Sequence, residues 1–398
     1  MTPQKNNTKS KVLVLDANQR SGLAVIRSLG KIKNIDVYAA DKVEKAIGGS
    51  SKYSKHYYQY PSIEKHPTEF IKWLIKLLAN NSFDILFPCT ETASQLLLLN
   101  KQLLGKTLLP FAPYEMVMSL AHKGNLMKLA KSLDVKIPNS TFFKKASDVN
   151  IPSYKDFPLV IKPCLSQIWR GNKWEHTVVK IVHSTEELSN VLEATTWLQN
   201  DEFMLQQFIP GYGAGLFALY NKGESTAFFA HKRLREKPPE GGVSVLSKSI
   251  ELPKSLLENT KKILDKASWH GVAMVEFRVS DDGTPYLMEV NTRFWGSLQL
   301  AIDSGVDFPN LLYRITKKEK IGCTNQYKKN AHLRWFLGDL DSLYLTLRSP
   351  KYSKKDKLIC IIIFLTPHFF TTRHQVGRWG DMKPALTELK QYIKDLKR

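Results

Sequence analysis

A small doubly wound parallel sheet followed by a larger region of antiparallel sheets is the fold class the sequence predicts, an α/β part and an α+β part in one chain. Three observations predict it. First, KVLVLD at residues 11–16 reads as a buried strand, GLAVIRSLG at 22–30 as an amphipathic helix and DVYAA at 36–40 as a second strand, which makes a βαβ unit. Second, a helix at 70–78 and a strand at 84–87 repeat the pattern. Third, the text changes after residue 121: the helix HKGNLMKLAKSLDVKIP runs to Pro138, and strands dominate from there. Two of those strands, at 272–279 and 285–290, flank the turn Asp281-Asp282-Gly283, and Asp-Gly is a strong hairpin signal.

The remaining elements follow in order. FPLVIKP at 157–163 is an apolar strand with Lys162 at its exit, residues 186–198 are helical, and FMLQQFI at 203–209 is extended. GYGAG at 211–215 is a glycine-rich turn into a strand at 216–220, and in the C-terminal region 334–340 and a helix over 384–396 are expected to pack on the body.

A chain of 398 residues exceeds one typical hydrophobic core, and 43% hydrophobic with 24% charged residues excludes a disordered chain. The polar start MTPQKNNTKSK carries no secretory signal, so a cytoplasmic location is expected. Cys89, Cys164, Cys323 and Cys360 lie far apart and form none of the paired spacings of a zinc or redox site. The first strand-to-helix turn, DANQRSG, lacks the glycine spacing that lets a pyrophosphate approach, which disfavours NAD. Topology alone leaves the turns at Asp16, Asn18 and Thr90-Glu91-Thr92 as a substrate-binding edge.

The net charge of +21 raises nucleic acid as a partner, but residues 317–398 hold 18 Lys or Arg against 7 Asp or Glu, a net of 18 − 7 = +11. A basic tail, not a basic protein, is what this describes, and no nucleic acid is expected. Within the tail LICIIIFL, residues 358–365, is far shorter than the ~20 residues that span a bilayer. It reads as a buried strand or helix, with peripheral membrane contact through the flanking lysines as the alternative.

The stretch YLMEVNTRFWGS at 286–297 carries the chemistry. Strand side chains alternate between faces, so Glu289, Asn291 and Arg293 share one face and Met288, Val290 and Thr292 the other. Folding back about the Asp-Gly turn brings Glu276 beside Glu289 and Asn291. Two carboxylates forced together repel unless a cation neutralises them. Oxygen donors without His or Cys suit Mg²⁺, with Mn²⁺ as the alternative ion. Arg293 and the lysines Lys123 and Lys162 would then meet the phosphates of a nucleotide.

Lys123 in HKGN, Lys162 in FPLVIKP, QQFIPG, VEFRVSDDG and YLMEVNTRFWG, in that order and spacing, resemble the ATP-grasp superfamily, particularly its carboxylate-amine ligase and carbamoyl-phosphate-synthase-like members. The resemblance covers residues 10–310 and is most specific at MEVNTR with its upstream Glu; HKRLREKPPEGGVSVLSKSI at 231–250 resembles a subgroup of carboxylate-amine ligases. It implies a pre-ATP-grasp domain at 1–115, an ATP-grasp domain at 116–315 with a small lobe at 140–210 and a large one at 211–315, and a basic C-terminal extension at 316–398 packed on the body.

The resemblance also implies roles. Lys123 and Lys162, with Ser166 and Arg170, would hold ATP phosphates, and the segment Gln206, Gln207, Phe208, Ile209 would bind adenine by its main chain. Glu276, Glu289 and Asn291 would ligate Mg²⁺; Arg293 would stabilise charge on the transferred phosphoryl group or the acyl phosphate, and Lys232 and Arg235 would add catalytic cations at the substrate side. His231, Arg233, Gly241, Gly242 and Ser244 would line the substrate side, beneath a lid at 236–248. Against the family pattern, PCLSQIWRG at 163–171 offers one glycine where a glycine-rich flap is usual, and Gln206 stands where an acidic residue is common.

The activity implied is ATP- and Mg²⁺-dependent joining of a small-molecule carboxylate to an amine through an acyl phosphate, with release of ADP. The alternatives are a bicarbonate-phosphorylating enzyme of carbamoyl-phosphate type and a non-catalytic protein that binds ATP or an anionic surface.

Overall fold

The structure is a computed structural model and describes residues 9–239, 241–366 and 372–397. The start of the polar N-terminal stretch, Glu240 within the expected lid, and residues 367–371 of PHFFTTRH lie outside the described residues.

The N-terminal part alternates strands and helices: β1 (Ser10–Val14), α1 (Arg20–Leu29), β2 (Ile35–Asp41), β3 (His56–Gln59), α2 (Pro67–Asn80), β4 (Ile85–Phe87) and α3 (Glu91–Leu99). Every strand pairing is parallel and the order is β3-β2-β1-β4. Val12, Leu13 and Val14 are fully buried, as a strand covered on both faces requires. At the end of β1, Asp16 takes φ +57°, and its carboxylate accepts from the amides of Cys89 and Thr90 and the hydroxyls of Thr90 and Tyr60. That carboxylate stitches β1 to β4 and occupies the edge where a dinucleotide fold presents open amides.

Two helices, α4 (Tyr114–Ala121) and α5 (Lys123–Ser132), lead out of this part. The helix predicted to reach Pro138 stops at Ser132, and two residues on Asp134 turns into the left-handed region at φ +54°. A four-stranded antiparallel sheet follows in the order β5-β10-β6-β9, from β5 (Ser140–Phe143), β6 (Leu159–Pro163), β9 (Lys180–Val182) and β10 (Phe203–Gln207), backed by α6 (Thr185–Ala194). Between β6 and β9 a hairpin of β7 (Gln167–Trp169) and β8 (Trp174–His176) projects, and its Trp174 amide donates to the Glu64 carbonyl of the N-terminal part.

The large sheet has seven strands in the order β15-β14-β11-β12-β13-β16-β17. Its members are β11 (Tyr212–Asn221), β12 (Glu224–Lys237), β13 (Val243–Ser249), β14 (Gly271–Val279), β15 (Pro285–Asn291), β16 (His332–Arg334) and β17 (Thr372–His374). The helices are α7 (Lys254–Lys266), α8 (Leu298–Ser304), α9 (Phe308–Thr316), α10 (Phe336–Arg348), α11 (Lys354–Leu365) and α12 (Lys383–Leu396). Trp269, Trp295, Phe217 and Phe229 are fully buried against this sheet. The C-terminal region therefore supplies two strands of the large sheet as well as covering helices.

Two expectations are corrected. The lid over 236–248 is for the most part strand: β12 runs to Lys237, and β13 starts at Val243, pairing with β12 from there and with β16 from Leu246. The run 358–365 forms the body of α11, but it is not buried, with Leu358 58% and Leu365 64% exposed. Its apolar content is spread almost all round the helix, and α10 covers only one side of it. Among the described residues no helix is long and apolar enough to cross a membrane.

Candidate active site

The hairpin of β14 and β15 turns at Asp282-Gly283, as predicted, and its register sets Glu276 opposite Glu289 and Met274 opposite Asn291. Asn291 Nδ2 donates to Glu276 Oε1 at 2.9 Å and to Glu289 Oε1 at 3.1 Å, bridging the two carboxylates. Arg293 Nη2 lies 3.3 Å from Asn291 Oδ1, so Glu276, Glu289, Asn291 and Arg293 form one connected cluster. Strand periodicity and hairpin pairing together produce it.

Lysines arrive from two other elements. Lys123, at the first position of α5, is buried; its Nζ stands 3.2 Å from Glu289 Oε2 and 3.1 Å from Ser166 Oγ. Lys162, on β6, points its ammonium at Met288 Sδ, 3.4 Å away. Burial pulls the Lys162 ammonium down to about 8, against the pull of the Glu289 charge. Glu289 feels burial in the opposite sense, yet the charges of Lys123 and Lys162 outweigh it and draw the carboxyl down to about 2. For Glu276 burial prevails and raises the carboxyl, although the Arg233 charge opposes it.

On the other side of the carboxylates the arginines gather. Arg233 Nη2 reaches Glu276 Oε2 at 2.6 Å, and its Nη1 donates to Glu236 at 3.0 Å and to the Gly242 carbonyl at 3.2 Å. A cavity of about 270 Å³ opens here, with Arg20, Arg233, Arg293, Ser244, Met274 and Trp295 among its lining. His231 lines it too, fully buried, stacked on Phe217 at 4.7 Å and within 3.0 Å of Ser297 Oγ; burial drives its imidazole down to about 3, so it is neutral. A second cavity of about 410 Å³ adjoins it, sharing Arg20, Glu289 and Arg293 and reaching Thr90, Glu91 and Thr92 at the start of α3.

Arg20 is the residue sequence reasoning missed. It opens α1, far away in sequence, yet its Nη1 lies 3.0 Å from Gln375 Oε1 and 3.4 Å from the Ser244 carbonyl, and its guanidinium covers Trp335 at 3.8 Å. Its one sequence signal is its place just after the β1 turn, where an open α/β sheet presents its ligand edge.

Other predicted residues lie apart. Lys232 points to the opposite face of β12 from His231 and Arg233, over the Tyr212 ring at 4.4 Å. Arg235 forms a fork with Asp339 of α10 at 2.6 and 2.5 Å and lines a separate groove. A register irregularity between Arg233 and Arg235 is the cause, because a β-bulge sends the following side chain to the other face. Arg170, in the flap hairpin, is held by Glu175 and Asp201, and Gly241 does not line the cavity although Gly242 and Ser244 do.

Gln206, Gln207, Phe208 and Ile209 form the passage between the two antiparallel sheets. Gln206 is buried with its side chain donating to Ser140 Oγ at 2.9 Å, the Gln207 amide donates to the Asn139 carbonyl, and Arg278 lies over Phe208 at 5.9 Å while donating to the Ile209 carbonyl at 3.0 Å. Gly211 closes the passage at φ +123°, where a Cβ would lie 2.0 Å from the Val279 carbonyl oxygen.

Residues 199–336, which hold the hairpin, Arg233 and the passage, match the family described as ATP-grasp in the biosynthetic pathway with Ter operon. A D-alanine--D-alanine ligase from Aquifex aeolicus (strain VF5) is 28% identical over 205 residues, 46% of this chain and 64% of that protein. The match thus spans less than two thirds of that curated relative. The family match and the curated relative both point to the ATP-grasp superfamily.

Several solved structures share the fold. An L-amino acid ligase from Bacillus licheniformis superposes with a TM-score of 0.62 at 16% identity, over 79% of this chain and 75% of that one. N5-carboxyaminoimidazole synthetase from Staphylococcus aureus gives 0.60 at 14% identity over 83% of each chain, and biotin carboxylase from Campylobacter jejuni gives 0.63 at 13% identity over 82% and 75%. The Glu276 and Glu289 carboxylates converge on Asn291, whose Nδ2 faces both and whose Oδ1 faces Arg293; the two carboxylates fit a hard cation, and turning the amide over would add its oxygen to them.

Proposed function

We propose that the chain is an ADP-forming ligase that activates a small-molecule carboxylate with MgATP and joins it to an amine. The observation that carries this is the placement of the Glu276–Asn291–Glu289 cluster between cations of two kinds, Lys123 at 3.2 Å on one side and Arg233 at 2.6 Å on the other. Lys123 and Lys162 stand where anionic phosphates need charge, Ser166 completes that edge, and adenine would meet the passage from Gln206 to Ile209 at the main-chain groups that the Gln207–Asn139 and Ile209–Arg278 hydrogen bonds leave free. Glu276, Glu289 and Asn291 would hold Mg²⁺, which supplies charge neutralisation for the β- and γ-phosphates.

The acid then lies in the arginine-lined cavity, with its carboxylate held by Arg233, Arg293 and Arg20. Its oxygen attacks the γ-phosphorus, the bond from that phosphorus to the β-bridging oxygen breaks, and ADP leaves; Arg293 faces the charge that develops. The amine attacks the acyl carbon, phosphate departs and the amine loses a proton. No nucleophilic Ser or Cys is required, because positioning and charge do the catalysis. The 270 Å³ cavity, with Met274 and Trp295 in its wall, favours an organic acid over bicarbonate, which needs neither the room nor the apolar contact.

Release of ADP, screened over amino acids and other small acids paired with amines, tests the reading. Dependence on both an acid and an amine is the expected result. MgATP binding without ADP release from any pair would favour a non-catalytic nucleotide-binding role, and release with bicarbonate alone the carbamoyl-phosphate-type chemistry.

A further inference from the structure

An amphipathic helix on a protein surface ordinarily buries its apolar stripe and hydrates the other face. α12 does the reverse. Its polar side holds the body: Glu388 accepts from Trp335 Nε1, Gln391 donates to Asn18 and to the Lys45 carbonyl, and Tyr392 donates to Asp341. The stripe Leu386, Leu389, Ile393 and Leu396, at spacings of three and four, is 57%, 42%, 45% and 70% exposed. Three polar anchors thus fix α12 with its apolar face outward.

α11 adds a second exposed apolar surface. Its Phe364 side packs on Phe336, whereas Leu358, Ile359, Ile362, Ile363 and Leu365 face solvent in one broad arc. Phe336 of α10, on which α11 packs through Phe364, also lines a groove of about 690 Å³ with Met382, just before α12, and Leu389 of α12; α11 reaches that groove only through Phe336, and Trp379 at its rim is fully exposed. Together these surfaces exceed what scattered surface apolar residues produce.

Charge decides what covers them. Lys354, Lys355, Lys383, Lys390, Lys394 and Lys397 are exposed on the same two helices and their ends, against the exposed acids Asp356, which caps α11, and Asp395, while Asp381 and Glu388 turn inward to Arg27 and Trp335. A second copy of the chain would set the +11 net charge of residues 317–398 against its like. An anionic bilayer offers an apolar interior, a negative surface and an interface that favours an exposed Trp.

We propose that the α11–α12 face docks peripherally on anionic lipid, inserting Leu386, Leu389, Ile393 and the α11 arc below a belt of lysines. This stands on observations remote from the ligase site and does not depend on that reading. Because no helix among the described residues can span a bilayer, the attachment is superficial and reversible.

Co-sedimentation of the full chain with phosphatidylcholine vesicles, with and without about a third phosphatidylglycerol, tests it. Partition at least about tenfold stronger on the anionic vesicles is expected, as one or two lysines near such a surface provide, with loss in high salt. Leu386→Glu with Ile393→Glu, and separately Leu358→Glu with Ile362→Glu, should each weaken binding about tenfold or more and leave the far-UV circular dichroism unchanged, since all four positions are exposed. Lys390→Glu with Lys394→Glu should abolish the preference for anionic lipid. Equal sedimentation with and without vesicles, equal partition on both vesicle types, or full binding by both Leu/Ile variants would overturn the proposal. So would a lipid-free dimer, seen by sedimentation equilibrium and dissolved by the Leu386→Glu variant, which would assign the face to a second copy.

Discussion

Arg233 Nη2 lies 2.6 Å from Glu276 Oε2 although their strands are not neighbours; β11 runs between β12 and β14. The Arg233 side chain passes over Gly213, where an added Cβ would stand 3.8 Å from its Nη1, and the next residue on that face of β11, Gly215 in register with Glu276, raises no side chain either. An ion pair thus spans a strand, and one end of the carboxylate cluster is neutralised by the same molecule that would hold substrate there.

Replacing Arg233 with Met removes this partner from a carboxylate that burial already raises. A loss of about 2 kcal/mol is expected, below the range for a fully buried pair because both side chains keep some exposure. Mg²⁺ should restore more stability to the variant than it adds to the parent. Thermal unfolding across a Mg²⁺ titration checks this, and identical Mg²⁺ responses would argue against the cluster as the ion's site.

Glu289→Gln should lower ADP-forming turnover by about a hundredfold or more, as loss of one group that stabilises transferring phosphate does. Circular dichroism should stay close to the parent because the amide keeps the shape and the contact with Asn291, whereas the melting temperature should fall modestly because the buried Lys123 ammonium loses its carboxylate partner. An undiminished rate would sink the assignment.

A pH dependence follows from Lys162. In the free protein its ammonium is charged below about pH 8 and neutral above it. Phosphate binding needs the charged form, so kcat/KM for MgATP should hold below pH 8 and fall as the pH rises past it. Lys162→Arg should remove the alkaline fall, since guanidinium stays charged. A parent profile flat to pH 9.5 would remove Lys162 from the phosphate site.

Metal removal gives an independent readout. Chelation should abolish ADP release, with Mn²⁺ able to replace Mg²⁺. Electron paramagnetic resonance of added Mn²⁺ should show binding in the presence of ADP by the parent and about tenfold weaker binding by Glu276→Gln. Equal binding by the two would place the ion elsewhere.

Gly211→Ala tests the passage between the sheets. The φ of +123° and the 2.0 Å approach to the Val279 carbonyl leave no room for a Cβ. A loss of at least about 2 kcal/mol in chemical denaturation is expected, and a neutral result would mean that the passage relaxes freely.

Much of this molecule was readable locally. The parallel order of the N-terminal strands and the Asp282-Gly283 hairpin follow from periodicity and turn chemistry, which neighbouring residues carry. β3 and β13 were not foreseen: HYYQ at 56–59 is short and polar, and SVLSKS reads as loop until β12 and β16 offer it ladder bonds on both edges.

The sequence by itself determined that Glu289, Asn291 and Arg293 share a face and that Glu276 folds back onto it, because alternation and a two-stranded turn are short-range geometry. Only the tertiary structure decided which other cations meet them. Arg233 faces inward and Arg235 outward because of a bulge, Arg20 enters from 224 residues away to reach the Ser244 carbonyl, and α12 shows its apolar stripe to solvent because three polar contacts hold its other side. Those outcomes depend on partners distant along the chain, and local pattern carries no record of where such partners will stand.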